Sequence, residues 1–231
     1  MLVLQTFPPI LGLRSASPFT VKAEALLRMS GLPFEREIVA DPRKAPRGKL
    51  PVLVDDGTAI PDSAHIQAHL ERVHGADFDG GLDPKQRATA TAFRRLVEHH
   101  LYFIAGDIRW RTFPREVRDS YFASVPAPLR PLVFRLARRS VERALHGQGL
   151  GRHTAEERLA FGREDLDAIA AELGDRPFFL DDRPRSIDAT LFGALHGLLD
   201  CTLQTPLSEH ARGKANLVAY TRRFEETVFG D

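Results

Sequence analysis

Pro51 opens the apolar run Val52-Leu53-Val54, and the acid–serine pair Asp62-Ser63 follows on the far side of a tight turn. Proline has no N–H to give a ladder, so it belongs at the first residue of a strand. Asp55-Asp56-Gly57 makes the turn, and Thr58-Ala59-Ile60 returns as a second strand. Asp62-Ser63 then starts an amphipathic helix, with Ile66, Leu70 and Val73 on one face. This order sets the backbone beside Pro51 close to the free N–H groups of a helix N-terminus. Such an end favours a carboxylate. The same residue types also serve as plain N-caps. A second candidate is Ser17, which precedes Pro18-Phe19-Thr20 at another helix start. It is either an N-cap before a proline at the first helical position or a hydroxyl turned toward a ligand, with Ser15 and Thr20 as alternative hydroxyls.

The elements that must position these residues follow from the pattern. Leu2 to Phe7 reads as a strand, and Pro18 to Met29 as a helix stopped at Gly31. Pro33 to Val39 is a second strand. Residues 1–74 thus run β-α-β and then β-β-α. Gly75 to Pro84, rich in Gly and Asp, is the linker, and residues 85–231 are helical. Gln86 to Trp110 forms one long helix with Phe93, Val97, Leu101 and Ile104 at helical spacing. A stretch broken by Pro114, Pro126, Pro128 and Pro131 follows, then a basic helix from Leu132 to Leu145. Gly147 to Gly151 reads as a flexible loop. Thr154-Ala155-Glu156-Glu157 is a capping box opening a helix to Leu173. Pro177 to Leu180 is an apolar turn. Ile187 to Leu199 is apolar enough to sit at the centre of the helical part, and a last helix spans Leu217 to Thr227.

The first unit resembles the glutathione-binding half of a thioredoxin-like domain, as in glutathione transferases. The second half narrows the likeness. Gln86-Arg87-Ala88, Glu98 to Tyr102, Gly149 to His153, Arg176 to Leu180 and Ser186 to Thr190 are similar to the failed axon connections branch, which is metaxin-like within that superfamily. The resemblance implies an α/β thioredoxin-like N-terminal domain followed by an all-helical C-terminal domain. It implies a cis bond at Pro51, with the backbone of Leu50 pairing with the cysteinyl part of glutathione. Asp62 and Ser63 would hold its γ-glutamyl end, and Lys49 its glycyl carboxylate. Ser17 would donate a hydrogen bond to the sulfur, lowering the thiol pKa from roughly 8.5 toward neutrality for attack on a small apolar electrophile. The alternative is a non-catalytic binding or scaffold protein of metaxin type. A homodimer is the superfamily's common assembly.

The sequence departs from these relatives in places. Where a thioredoxin carries Cys-Pro-Phe-Cys, this chain has Ser17-Pro18-Phe19-Thr20, which excludes disulfide exchange there. Asp62 is one methylene shorter than the usual glutamate. At the start of the apolar helix Arg185 stands where a Ser or Thr is usual, so either Ser186 caps or Asp188 accepts backbone N–H groups itself. Tyr102 and Trp110 suit either a pocket wall or the core. His99 and His100 point about 100° apart on a helix and cannot share a metal, and no metal-ligand cluster is evident in the sequence. Arg135, Arg138, Arg139 and Arg143 form a solvated face or a contact with an anionic membrane surface.

Bulk properties set the frame. Among 231 residues, 43% are hydrophobic and 27% charged, with net charge +1, which argues against nucleic acid as the main partner. The single cysteine, Cys201, excludes an internal disulfide framework and fits a reducing compartment. No secretory leader is evident, and no apolar run reaches the ~18 residues of a membrane span. A cytoplasmic protein is expected.

Overall fold

The computed structural model describes residues 1–39 and 41–230. Four strands form one mixed sheet: β1 (Leu2–Thr6), β2 (Phe34–Ile38), β3 (Val52–Asp55) and β4 (Thr58–Pro61). Their order is β2-β1-β3-β4, with β1 parallel to β2 and antiparallel to β3. Leu2, Leu4 and Thr6 alternate toward the buried face of β1, the period-two signature of a strand. Helix α1 (Pro18–Ser30) joins the two parallel strands, and α2 (Ser63–His74) follows the β3–β4 hairpin. Both helices end at a glycine in the left-handed region, Gly31 and Gly75, each at φ 69°.

The helical half begins with α3 (Pro84–Leu96), which runs without a break through a π-helical turn (Val97–Leu101) into α4 (Tyr102–Thr112). The long helix expected from the sequence is therefore continuous but carries one wide turn, a feature that re-aims the residues after it. Next come α5 (Pro114–Tyr121), α6 (Arg130–Gln148), α7 (Ala155–Leu173), α8 (Ser186–Leu199), α9 (Pro206–Arg212) and α10 (Ala215–Phe229). Helices α5 and α9 were not anticipated. Pro114 and Pro206 start helices rather than break them, because the first helical position needs no N–H donor. Most of the expected loop Gly147 to Gly151 is helical: α6 runs through Gln148, Gly149 at φ 112° ends it, a 3-10 turn spans Leu150–Arg152, and the Gln148 amide oxygen accepts the Leu150 N–H at 3.0 Å. The described residues contain no helix long and apolar enough to cross a membrane. Leu129, Leu132 and Leu136 lie exposed at the outer side of α6.

Helix α8 is the axis of the molecule. Ile187, Ala189, Leu191, Phe192 and Leu195 are buried around its circumference, as expected of a helix apolar on all sides. It crosses α1 so closely that a methyl group on Gly193 would lie 2.5 Å from the Pro18 carbonyl oxygen. Asp188 anchors its first turn and takes the second of the two capping options. Its carboxylate accepts the N–H groups of Phe179 (2.8 Å) and Arg185 (2.7 Å) and the Tyr220 hydroxyl (2.8 Å). Ser186 is occupied elsewhere, donating through its hydroxyl to Asp79 at 2.6 Å.

Candidate functional site

The Leu50–Pro51 peptide is cis. Leu50 is buried, and the Pro51 carbonyl accepts the Asp62 N–H at 3.1 Å, so the start of β3 is tied to the start of α2. Asp62 adopts φ 83°, ψ 132°, a conformation that costs a non-glycine residue on the order of 1–3 kcal/mol. The hydrogen bond to Pro51 and the N-cap bond from the Ala64 N–H to its carboxylate, at 2.9 Å, hold it there. Ser63 is buried at the first helical position, and its hydroxyl has no hydrogen-bond partner among the described residues. The first N–H groups of a helix have no intrahelical acceptor either. This corner therefore presents unmet donors around Ser63 beside one carboxylate.

At α1 the three candidate hydroxyls separate cleanly. Ser15 is buried and donates to the Phe7 carbonyl at 3.2 Å. The Thr20 hydroxyl lies 2.6 Å from the Ser15 hydroxyl and 2.7 Å from the Ser17 carbonyl, and its one proton serves these two acceptors between them. Both are consumed by the loop's own fold. Ser17 occupies the N-cap position with extended backbone, and its half-buried side chain makes no capping bond. Its immediate neighbours Ala16, Pro18 and Phe19, rather than Ser17 itself, border a cavity of about 400 Å³.

That cavity lies between α1, the π turn with α4, α6 and α8, and Lys49 is also on its border. Tyr102 and Trp110 both line it, which decides between the two roles open to them. Tyr102 meets Phe19 edge to face at 4.9 Å between ring centres. Trp110 stacks on Phe134 at 5.8 Å. Beneath them Lys22 pairs with Glu98 at 2.7 Å, both nearly buried. Burial pushes the Lys22 ammonium below its ordinary pKa, and Glu98 pulls against that shift.

A second cluster sits at the other end of α2. The Nε2 atoms of His69 and His74 lie 2.8 and 2.7 Å from one Asp55 carboxylate oxygen, and the three donor atoms are close enough to hold a metal ion. This cluster is not evident in the sequence. The two histidines are five apart on a helix and meet only through an acid on another element. Their hydrogen bonds hold the Asp55 carboxyl below its ordinary pKa. His99 and His100 diverge, His100 going to Asp165 at 2.6 Å.

Residues 18–116 match the family model of the glutathione S-transferase N-terminal domain, and residues 162–224 that of its C-terminal domain. The chain is 32% identical to an isoprene-epoxide–glutathione S-transferase of Rhodococcus sp. strain AD45, over 98% of each chain. It is 29% identical to Failed axon connections of Drosophila melanogaster, over 95% of this chain and 56% of that one. It is 31% identical to metaxin-1 of Mus musculus, over 90% and 69%. A glutathione S-transferase of Ceriporiopsis subvermispora, solved in complex with glutathione, superposes with a TM-score of 0.63 at 20% identity, over 97% of this chain and 96% of that one. The chain belongs to the glutathione S-transferase superfamily, in the branch that holds Failed axon connections and the metaxins.

Proposed function

We propose that this protein conjugates glutathione to small electrophiles. The observation that carries the proposal is the division of labour among the hydroxyls of the α1 loop. Ser15 and Thr20 are spent internally, whereas the Ser17 hydroxyl has no partner among the described residues and stands at a helix N-terminus beside an apolar cavity. A hydroxyl donor and a helix N-terminus both favour a thiolate. The thiolate attacks the electrophilic carbon and a C–S bond forms. The carbon's bond to its leaving group, or to a ring oxygen, breaks with its electron pair, and the oxygen then takes a proton.

The remaining roles fall to the corner around Pro51. The Leu50 backbone pairs with the cysteinyl unit, Ser63 with the γ-glutamyl carboxylate and Asp62 with its ammonium, while Lys49 meets the glycyl carboxylate. Likeness to a transferase that acts on an epoxide supports the reaction class. The protein is proposed to work in the cytoplasm as a homodimer. The competing reading, a scaffold that keeps the fold without the chemistry, draws on the likeness to Failed axon connections and the metaxins.

Calorimetric titration with glutathione separates the two. Binding is expected, and none at millimolar concentration would sink the transferase reading. With glutathione bound, Ser17→Ala is expected to raise the thiol pKa, followed by thiolate absorbance. A Ser17→Ala thiol that titrates as in the wild type removes Ser17 from its role.

A further inference from the structure

The charges around the cavity do not cancel. Of the two acids on its wall, Glu98 is paired with Lys22, and Asp107 with Arg111 at 2.6 Å and Arg158 at 2.8 Å. Arg109 is different. It lines the same cavity, and among the described residues no carboxylate pairs with it. Its guanidinium donates to two neutral acceptors, the Tyr121 hydroxyl at 3.2 Å and the Gly197 carbonyl. A guanidinium carries five N–H donors and is always charged. Donors beyond those two bonds therefore remain without a protein acceptor, in a wall otherwise made largely of apolar and aromatic side chains.

Of the other cations on the cavity, Lys22 is spent on Glu98 and Lys49 is the residue assigned to the glycyl carboxylate of glutathione. A cation with no acidic partner in a largely apolar wall is the arrangement that orients an amphiphilic ligand. The apolar body fills the cavity and an anionic end meets the charge. Arg109 lies seven residues, two turns, after Tyr102 on α4, so the two share a helix face about 10 Å apart along the axis. Tyr102 touches Phe19 near the start of α1. The cation thus stands about two helical turns along α4 from the residue that meets the start of α1.

We infer that the electrophile is an apolar molecule bearing a carboxylate, set against Arg109 while its reactive carbon faces Ser17. A planar guanidinium fork matches a carboxylate with two parallel hydrogen bonds, and none of the neutral residues nearby offers that. The inference rests on the transferase reading for its orientation, but binding of the acid to the cavity does not.

The test is calorimetry without glutathione, comparing 1-naphthoate with the uncharged 1-naphthalenemethanol. The wild type is expected to bind the acid tighter, and Arg109→Gln to weaken acid binding about ten- to a hundredfold, the range for a charged hydrogen-bonded pair, while leaving the alcohol unchanged. Equal affinity of the wild type for the two probes overturns the inference and needs no variant. So does an equal loss of both probes in a folded Arg109→Gln protein. Displacement of naphthoate by glutathione alone would assign Arg109 to glutathione's own carboxylates and also overturn it. A protein that binds naphthoate through Arg109 but not glutathione upholds the anion site and rejects the transferase.

Discussion

Asp188 shows how much one buried carboxylate is asked to do. Burial raises its pKa from 3.8 to about 6, against the pull of the Phe179, Arg185 and Tyr220 donors. The folded protein therefore binds more protons than the unfolded chain between about pH 4 and 6. Its contribution falls as pH rises through that window, by on the order of 3 kcal/mol for a shift of about two units. Asp188→Asn cannot titrate, and its amide must point a donor at one of three donors. It is expected to be less stable than the wild type by about 1–3 kcal/mol at pH 7. The gap should be wider at pH 4, as read from urea unfolding at both values. A gap that does not change with pH would mean that Asp188 keeps one protonation state throughout.

At the scale of elements, the crossing of α8 over α1 fixes where Ser17 stands. Gly193→Ala would drive a methyl group into the Pro18 carbonyl, which is backbone and cannot turn aside. Overpacking of this kind costs about 1–3 kcal/mol, more than the ~1 kcal/mol that alanine gains over glycine in a helix. The variant is expected to unfold at lower temperature. Gly197→Ala is the internal control: its methyl group would meet only the Arg109 guanidinium at 3.8 Å, so it should hold or raise the melting temperature. Parity between the two variants would show that the crossing tolerates a methyl group. Much of this layer was readable beforehand. The capping box at Thr154 forms with both its bonds, 3.2 and 2.7 Å, because its signal is local. The apolar circumference of α8 was equally plain. Helices α5 and α9 were hidden because a proline reads the same whether it stops a helix or starts one.

Across the whole molecule, what stayed illegible is what depends on every partner at once. That Arg109 has no carboxylate partner among the described residues becomes visible only when each neighbouring acid is found already taken. The convergence of His69 and His74 on Asp55 needs the third dimension, and so does the bond that ties the Ser15 hydroxyl to the Phe7 carbonyl. The buried pair Lys22–Glu98 is of the same kind, joining α1 to the π turn across 76 residues. Removing one partner strands a buried charge and costs about 3–5 kcal/mol, whereas removing both is far milder. Lys22→Met and Glu98→Gln are each expected to lower stability severely, and the double variant to recover most of the loss. Additive losses in chemical denaturation would show that the charges act independently.

That pairing also constrains descent and engineering. A hybrid taking its sheet half from one relative and its helical half from another inherits a matched ion pair only if both parents carry it. The two halves of this chain are therefore free to diverge in their outward faces, but at this seam they must change together or not at all.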